Sequence, residues 1–454
     1  MRPALAAYGN WLRDHQSWLR TIQWVVVVAY AMLILVPAFM PLPDDSARMV
    51  NNLTVFAQFV FWGIWWPFVL VSMVLFGRLW CGVLCPEGAL SEWASRHGKG
   101  RPIPRWMRWG GWPFVAFVLT TVYGQMVSVY QYPKAVLLVL GGSTVAAMVV
   151  GYYYTRGKRA WCRYLCPVNG VFELLTKLAP MHYKVDEQKW KHSLDIGIRI
   201  QAVDCAPLQP IRHMKGGSGC HMCGRCSDHR GAVTLAARPF GEEVVEVAEK
   251  EATHWQTLLI VFGLLGVAIG AFHWTVSPWF VTLKQWAAEW LVNREIFWPL
   301  DDNTPWWLFT HYPELNDSFT WLDGGLLIGY IGATALVMGA CISLSLALAV
   351  AVAGSWSNRR FHHLAQALIP LAGCGVFLGL SATTLTLLKH EGIQAYWANN
   401  LRLTLLTGAM LWSLWLAIKI VARWGGGRAW LVLVPFLGTL ATVGAAWGFM
   451  FWWW

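Results

Sequence analysis

The chain has 454 residues, of which 56% are hydrophobic and only 13% charged, with a mean hydropathy of +0.44. That balance excludes a string of soluble domains and puts the chain in the membrane class. The formal net charge of +11 does not imply a nucleic-acid partner, because the basic residues are spread over short turns between apolar runs and not gathered on one soluble face.

Apolar runs of about twenty residues, the length that crosses a hydrocarbon core of about 30 Å, occur at roughly 22 to 40, 55 to 76, 112 to 130, 135 to 154, 256 to 279, 324 to 352, 364 to 388, 402 to 421 and 429 to 451. The sixth exceeds what one crossing needs, so it is expected to extend beyond the bilayer or tilt. The first begins after twenty residues, is long enough to span and lacks a small-residue cleavage pattern, so it is expected to stay in the mature chain.

Lysine and arginine mark the inner side. Arg78, Arg96, Lys99, Arg101, Arg105 and Arg108 follow the second run, and Arg156, Lys158, Arg159 and Arg163 follow the fourth. Arg359 with Arg360, and Arg423 with Arg428, mark two later inner turns, and Arg2, Arg13 and Arg20 put the N-terminus inside. The stretch 281 to 322 sets Lys284 and Arg294 against Glu289, Glu295, Asp301, Asp302, Glu314 and Asp317, and belongs outside. Nine crossings then leave Trp454 outside. Many of the 32 tryptophans, among them Trp24, Trp65, Trp66, Trp80, Trp109, Trp161, Trp255, Trp298, Trp306 and Trp307, sit near helix ends as headgroup anchors.

Three parts follow: a four-helix membrane unit, 1 to 178; a polar segment, 179 to 250, read as a small cytoplasmic domain in which Val244-Val245-Glu246-Val247 suggests a strand; and a five-helix membrane unit, 251 to 454, with the acidic outer loop. Gly266-x-x-x-Gly270 in the third part suggests close helix packing. The first part contains an internal repeat. Arg78-Leu-Trp-Cys81-Gly-Val-Leu-Cys85-Pro86 and Arg159-Ala-Trp-Cys162-Arg-Tyr-Leu-Cys166-Pro167 agree at six of nine positions and lie 81 residues apart. A third group, Cys220-x-x-Cys223-x-x-Cys226, has Cys205 upstream.

Eight cysteines in this spacing are what two 4Fe-4S clusters require, four thiolates each. Two-residue spacers let the Cys220 loop wrap a cubane and present three sulfurs. Where bacterial ferredoxins place a fourth cysteine this chain has Arg230, so a remote cysteine must close the site. If the first cysteine of each Cys-x-x-x-Cys-Pro turn lies on a last helical turn, the i and i+4 sulfurs share one face, and the proline stops the helix. The preferred partition is Cys81, Cys85, Cys162 and Cys166 for one cluster and Cys205, Cys220, Cys223 and Cys226 for the other. An exchange of Cys205 with one membrane-edge cysteine is the alternative, and the sequence leaves both open.

Competing readings carry less weight. Disulfides do not suit a reducing cytoplasm. Zinc sites usually pair two Cys-x-x-Cys knuckles and seldom use three cysteines in seven residues. Cys341 and Cys374 lie in apolar helices and read as small core residues. His221 and His229 flank the ligand loop but are not needed as ligands. His254, His273, His362, His363 and His390 sit near membrane boundaries without forming a motif, so haem is not expected. Arg78, Arg159 and Arg163 serve both topology and cluster charge, whereas Arg225, inside the ligand loop, points to the cluster alone.

Over roughly residues 20 to 240, in its four helices, paired Cys-x-x-x-Cys-Pro turns and cluster segment, the chain resembles the membrane polyferredoxin family. That family includes NapH-type quinol dehydrogenase subunits of periplasmic nitrate reduction, NosR-type nitrous-oxide reduction proteins and CcoG-type cytochrome oxidase accessory proteins. The resemblance implies two 4Fe-4S clusters and membrane electron transfer, often with the quinone pool. The doubled ferredoxin signature is missing here, and the five C-terminal helices have no counterpart in the resemblance.

The expectation is therefore an all-α integral membrane protein of about nine transmembrane helices with a small cytoplasmic ferredoxin-like iron–sulfur domain. It would sit in a bacterial inner membrane, N-terminus and clusters cytoplasmic, and relay electrons between a quinone or another membrane carrier and a redox partner protein. Redox sensing, assembly or docking, and accessory metal-ion reduction, are the alternatives.

Overall fold

The computed structural model describes residues 2–44, 46–195, 202–354, 356–425 and 429–454; Arg428, expected in the last inner turn, lies outside them. Among the described residues eight helices are long and apolar enough to cross a membrane: Gln16–Ala38, Leu53–Phe76, Pro133–Tyr153, His254–His273, Trp321–Val352, Ile369–His390, Ala398–Trp424 and Ala429–Trp453. Each falls on an expected run, and the chain is a membrane protein. The ninth run, 112 to 130, forms a helix of only 15 residues, Trp112–Met126. At 1.5 Å per residue that is about 22 Å, short of a core of about 30 Å. It ends in a tight turn in which Ser128 takes a positive φ of 49° and Val129 donates to the Gly124 carbonyl at 2.9 Å.

The described residues form two compact units. One gathers Met1–Val36, Trp66–Ala116 and Leu140–Glu251; the other gathers Pro37–Trp65, Phe117–Val139 and Ala252–Trp454. In the second unit His254–His273 packs closely on Trp321–Val352 through Gly266 and Gly270. A Cβ at these positions would stand 2.9 Å from the Ala335 Cα and 3.0 Å from the Ile331 Cα, the close backbone approach that small residues permit between membrane helices. The same unit carries the helix Pro278–Val292, whose Trp279, Leu283, Trp286 and Trp290 fall on one face at helical spacing and are all exposed.

In the first unit the polar segment forms a two-stranded antiparallel sheet, β1 (Met181–Val185) and β2 (Val233–Ala237), with Tyr183 opposite Leu235. Tyr183, Met214, Cys220, Met222, Val233 and Leu235 make its buried core, and Leu5 packs against it. Leu5 belongs to the N-terminal helix Arg2–Asp14, which lies against β2. The strand suggested at 244 to 247 is not one: Glu243–Val247 is a π-helical turn. Valine's strand preference yields here to Glu243, whose buried carboxylate accepts from the backbone N–H of Gly217 at 2.7 Å and of Ser218 at 3.2 Å and pairs with buried Arg238.

Candidate iron–sulfur site

The two copies of the cysteine turn have one backbone form. The Leu53–Phe76 helix breaks at Gly77, φ 64°, and a five-residue helix, Leu79–Val83, carries Cys81; the second copy repeats it as Ala160–Tyr164 with Cys162. Both helices end alike: Leu84 and Cys85 each donate to the Trp80 carbonyl, and Leu165 and Cys166 to the Trp161 carbonyl, at 2.9 to 3.0 Å. The second cysteine therefore lies beyond the helix that carries the first, and not one helical turn along it as the spacing suggests. Cys85 caps the next helix, Pro86–Arg96, its sulfur accepting from the Gly88 N–H at 3.4 Å. Proline at the first helical position both ends one element and opens the next.

The copies then embrace each other. Pro86–Arg96, which follows the first turn, packs on Pro133–Tyr153, which precedes the second; Asn169–Thr176, which follows the second turn, packs on the last part of Leu53–Phe76. The repeated arginines cross over in the same sense. Arg78 donates to Asn169 at 2.6 Å and to the Ser218 carbonyl at 3.1 Å, and Arg159 donates to the Cys81 carbonyl and to Glu92. Both guanidiniums are buried. This exchange gathers Cys81, Cys85, Cys162 and Cys166: the Cys85 thiol feels Cys162 and Cys81, and the Cys166 thiol feels Cys162 and Cys85.

Cys205, Cys220, Cys223 and Cys226 are gathered separately around a small cavity that Tyr183, His221 and Arg225 help to line. Left-handed backbone at Met222 (φ 53°) and Gly224 (φ 80°) curls the loop, and the Met222 N–H points at the Cys220 sulfur at 3.4 Å. A Cβ on Gly224 would meet the Leu12 Cβ at 2.4 Å, so the N-terminal helix clamps the loop. Gln16 adds a bond to the Cys223 carbonyl at 2.8 Å, and Arg13 one to the Ser227 carbonyl at 3.1 Å. The two sets adjoin at Gly82, where a Cβ would stand 2.0 Å from the His221 carbonyl oxygen and 3.0 Å from the Cys223 nitrogen.

Burial dominates the electrostatics. It pushes the Cys85, Cys166, Cys205 and Cys226 thiols up, and those of Cys162 and Cys220 up to about 12. These six thiols are thus neutral when free, and binding a metal centre must displace their protons. Burial and the surrounding arginines, Arg78 foremost, hold His221 neutral. Glu92, which the sequence did not single out, binds Arg159 at 2.9 Å, Arg225 at 2.7 Å and Arg96. Burial alone would raise its pKa, but Arg159 and Arg225 bring it down to about 2. Lys158 pairs with Asp204 and donates to the Cys205 carbonyl at 3.2 Å, which ties the second turn to the remote cysteine.

None of the ten cysteines is in a disulfide, and Cys341 and Cys374 lie in membrane-spanning helices of the other unit. Cys341 is exposed, contrary to a core role: a face turned to lipid is as apolar as a core, so hydrophobicity does not reveal which way it points. His362 bonds Thr257 at 2.9 Å, and His390 bonds Arg48 at 3.1 Å. Among the described residues no group of three or more His, Cys, Asp or Glu side chains is arranged to hold a single metal ion. The gathered thiols, backbone N–H groups directed at sulfur and buried guanidiniums are the donor set and charge environment of an iron–sulfur centre.

Comparison with curated proteins gives no match, and comparison with solved structures gives none. Comparison with sequence families gives one, described as a 4Fe-4S binding domain, at residues 58–104 and again at 138–185. Each match contains one Cys-x-x-x-Cys-Pro turn and the helix that leads to it. The chain is thus similar to a 4Fe-4S binding domain in both copies of its repeat, which supports an iron–sulfur cofactor.

Proposed function

We propose that Cys81, Cys85, Cys162 and Cys166 hold one 4Fe-4S cluster, that Cys205, Cys220, Cys223 and Cys226 hold a second, and that the protein relays electrons at a bacterial inner membrane. The observation that carries this reading is the pair of thiol sets adjoining at Gly82 within one compact unit. A bound 4Fe-4S cluster supplies reversible one-electron transfer at a potential set by its ligands, charge and exposure. The chain does the rest. Arg78, Arg159 and Arg225 offset the thiolates' negative charge, the crossed helices exclude water, and the backbone contact at Gly82 shortens the path between the sets.

Orientation rests on charge. The basic turns around both cysteine motifs favour the cytoplasmic side, and the acidic stretch 281 to 322 favours the other. On this reading Trp112–Met126 is a ninth, short crossing accommodated by local thinning or tilt of its neighbours. The membrane-side partner is a quinone or another membrane redox carrier, and a second protein exchanges electrons at the cytoplasmic face. Mixing anaerobically purified protein with a reduced quinol analogue tests the relay. Rapid, stoichiometric change in cluster absorbance is expected; clusters inert to quinol would favour redox sensing or docking.

A further inference from the structure

Glu92 lies seven residues beyond Cys85 on the Pro86–Arg96 helix and is only 4% exposed. One of its oxygens accepts from Arg159 at 2.9 Å, and Arg225 straddles both at 2.7 and 3.0 Å. Arg159 stands three residues before Cys162 and also donates to the carbonyl of Cys81. Arg225 lies between Cys223 and Cys226 and lines their cavity. A single carboxylate thus holds one guanidinium from each thiol set, while Arg96 covers its outer side, 41% exposed.

We infer that Glu92 is a positioning residue common to both sets, whose one negative charge fixes Arg159 and Arg225 and sets the reduction potentials of the two clusters together. The inference rests on the two-cluster reading above. Without the carboxylate, the buried Arg159 and the partly buried Arg225 guanidiniums would face each other with no counter-charge between them, an unfavourable arrangement. With it, three arginines and one glutamate leave a surplus of two positive charges beside groups that become more negative on reduction. Removing the charge of Glu92 therefore favours reduction at both sets, and removing that of Arg96 opposes it at both.

The test is an EPR-monitored redox titration of the full-length, anaerobically purified protein. In Glu92→Gln both signals should shift to higher potential, the ratio of reduced to oxidised form at fixed potential changing about tenfold, which for a one-electron couple is 59 mV. Glu92→Asp keeps the charge and should stay close to wild type. Arg96→Gln alters only an exposed edge, so it tests the idea even if Glu92→Gln fails to fold, and it should shift both signals downward. Movement of one signal alone, of neither, or an equal shift in Glu92→Asp and Glu92→Gln would overturn the inference. Wild-type protein lacking two iron–sulfur signals would overturn the underlying reading and this inference with it, whereas two signals indifferent to Glu92 and Arg96 would overturn the inference alone.

Discussion

Gly82→Ala adds one methyl group where the two thiol sets meet. The new Cβ would stand 2.0 Å from the His221 carbonyl oxygen and 3.0 Å from the Cys223 nitrogen, both backbone atoms that cannot rotate away. Restoring ordinary contact requires a shift of roughly 1.5 Å. The short Leu79–Val83 helix is itself held, because Gln23 donates to the Gly82 carbonyl at 2.8 Å, so the Cys220 loop must move instead. Overpacking of this kind costs about 1–3 kcal/mol, and at the upper end the seated loop is disfavoured by roughly a hundredfold. Iron and sulfide analysis with low-temperature EPR should show about half the wild-type iron, the surviving signal being that of the Cys81 set. Arg163→Ala is the control, since Arg163 holds the corresponding place in the second copy; it should keep nearly all its iron. Full iron and unchanged signals in Gly82→Ala would refute the argument that the sets adjoin there.

Cys223→Ser should remove about half the bound iron, and Cys81→Ser and Cys166→Ser should disturb one and the same EPR signal, separate signals favouring the exchanged partition. The Glu92 carboxyl is depressed in the folded chain from 4.5 to about 2, so its stabilisation is fully present above pH 4.5 and lost as pH falls towards about 2. Acid titration followed by tryptophan fluorescence should show that component in wild type and not in Glu92→Gln. A reporter fused after Trp454 should be active outside the cytoplasm, and an inside result would remove or add a crossing within residues 251 to 454. Lipids brominated on their acyl chains should quench Trp286 fluorescence, measured against Trp286→Phe, because the Trp279, Trp286 and Trp290 face is exposed and suited to an interface; equal quenching of both proteins would contradict that placement.

Lipid imposes long apolar runs, which is why eight spans were legible, some to within two or three residues. The end of the Trp112–Met126 helix was not, because it is fixed by the Ser128 turn and by a bond from Thr310 to the Met126 carbonyl, some 180 residues away in sequence. The cysteine spacing made the candidate site legible, and Arg225 stood out within it. Glu92 did not: with Arg96 four residues on, it reads as an ordinary exposed helix pair, and only Arg159 and Arg225, brought from distant segments, reveal its role. The N-terminal clamp was hidden for a similar reason, since Gly9 and Leu12 acquire meaning only against Ser227 and Gly224. Val244 to Val247 misled because local strand preference carried no information about the buried Arg238–Glu243 pair.

The most direct test is the iron and acid-labile sulfide content of anaerobically purified full-length protein, read together with its low-temperature EPR spectrum. Two 4Fe-4S clusters predict about eight iron and eight sulfide per chain and two distinguishable reduced signals. A preparation containing zinc or no metal, with neither sulfide nor signal, would contradict the account.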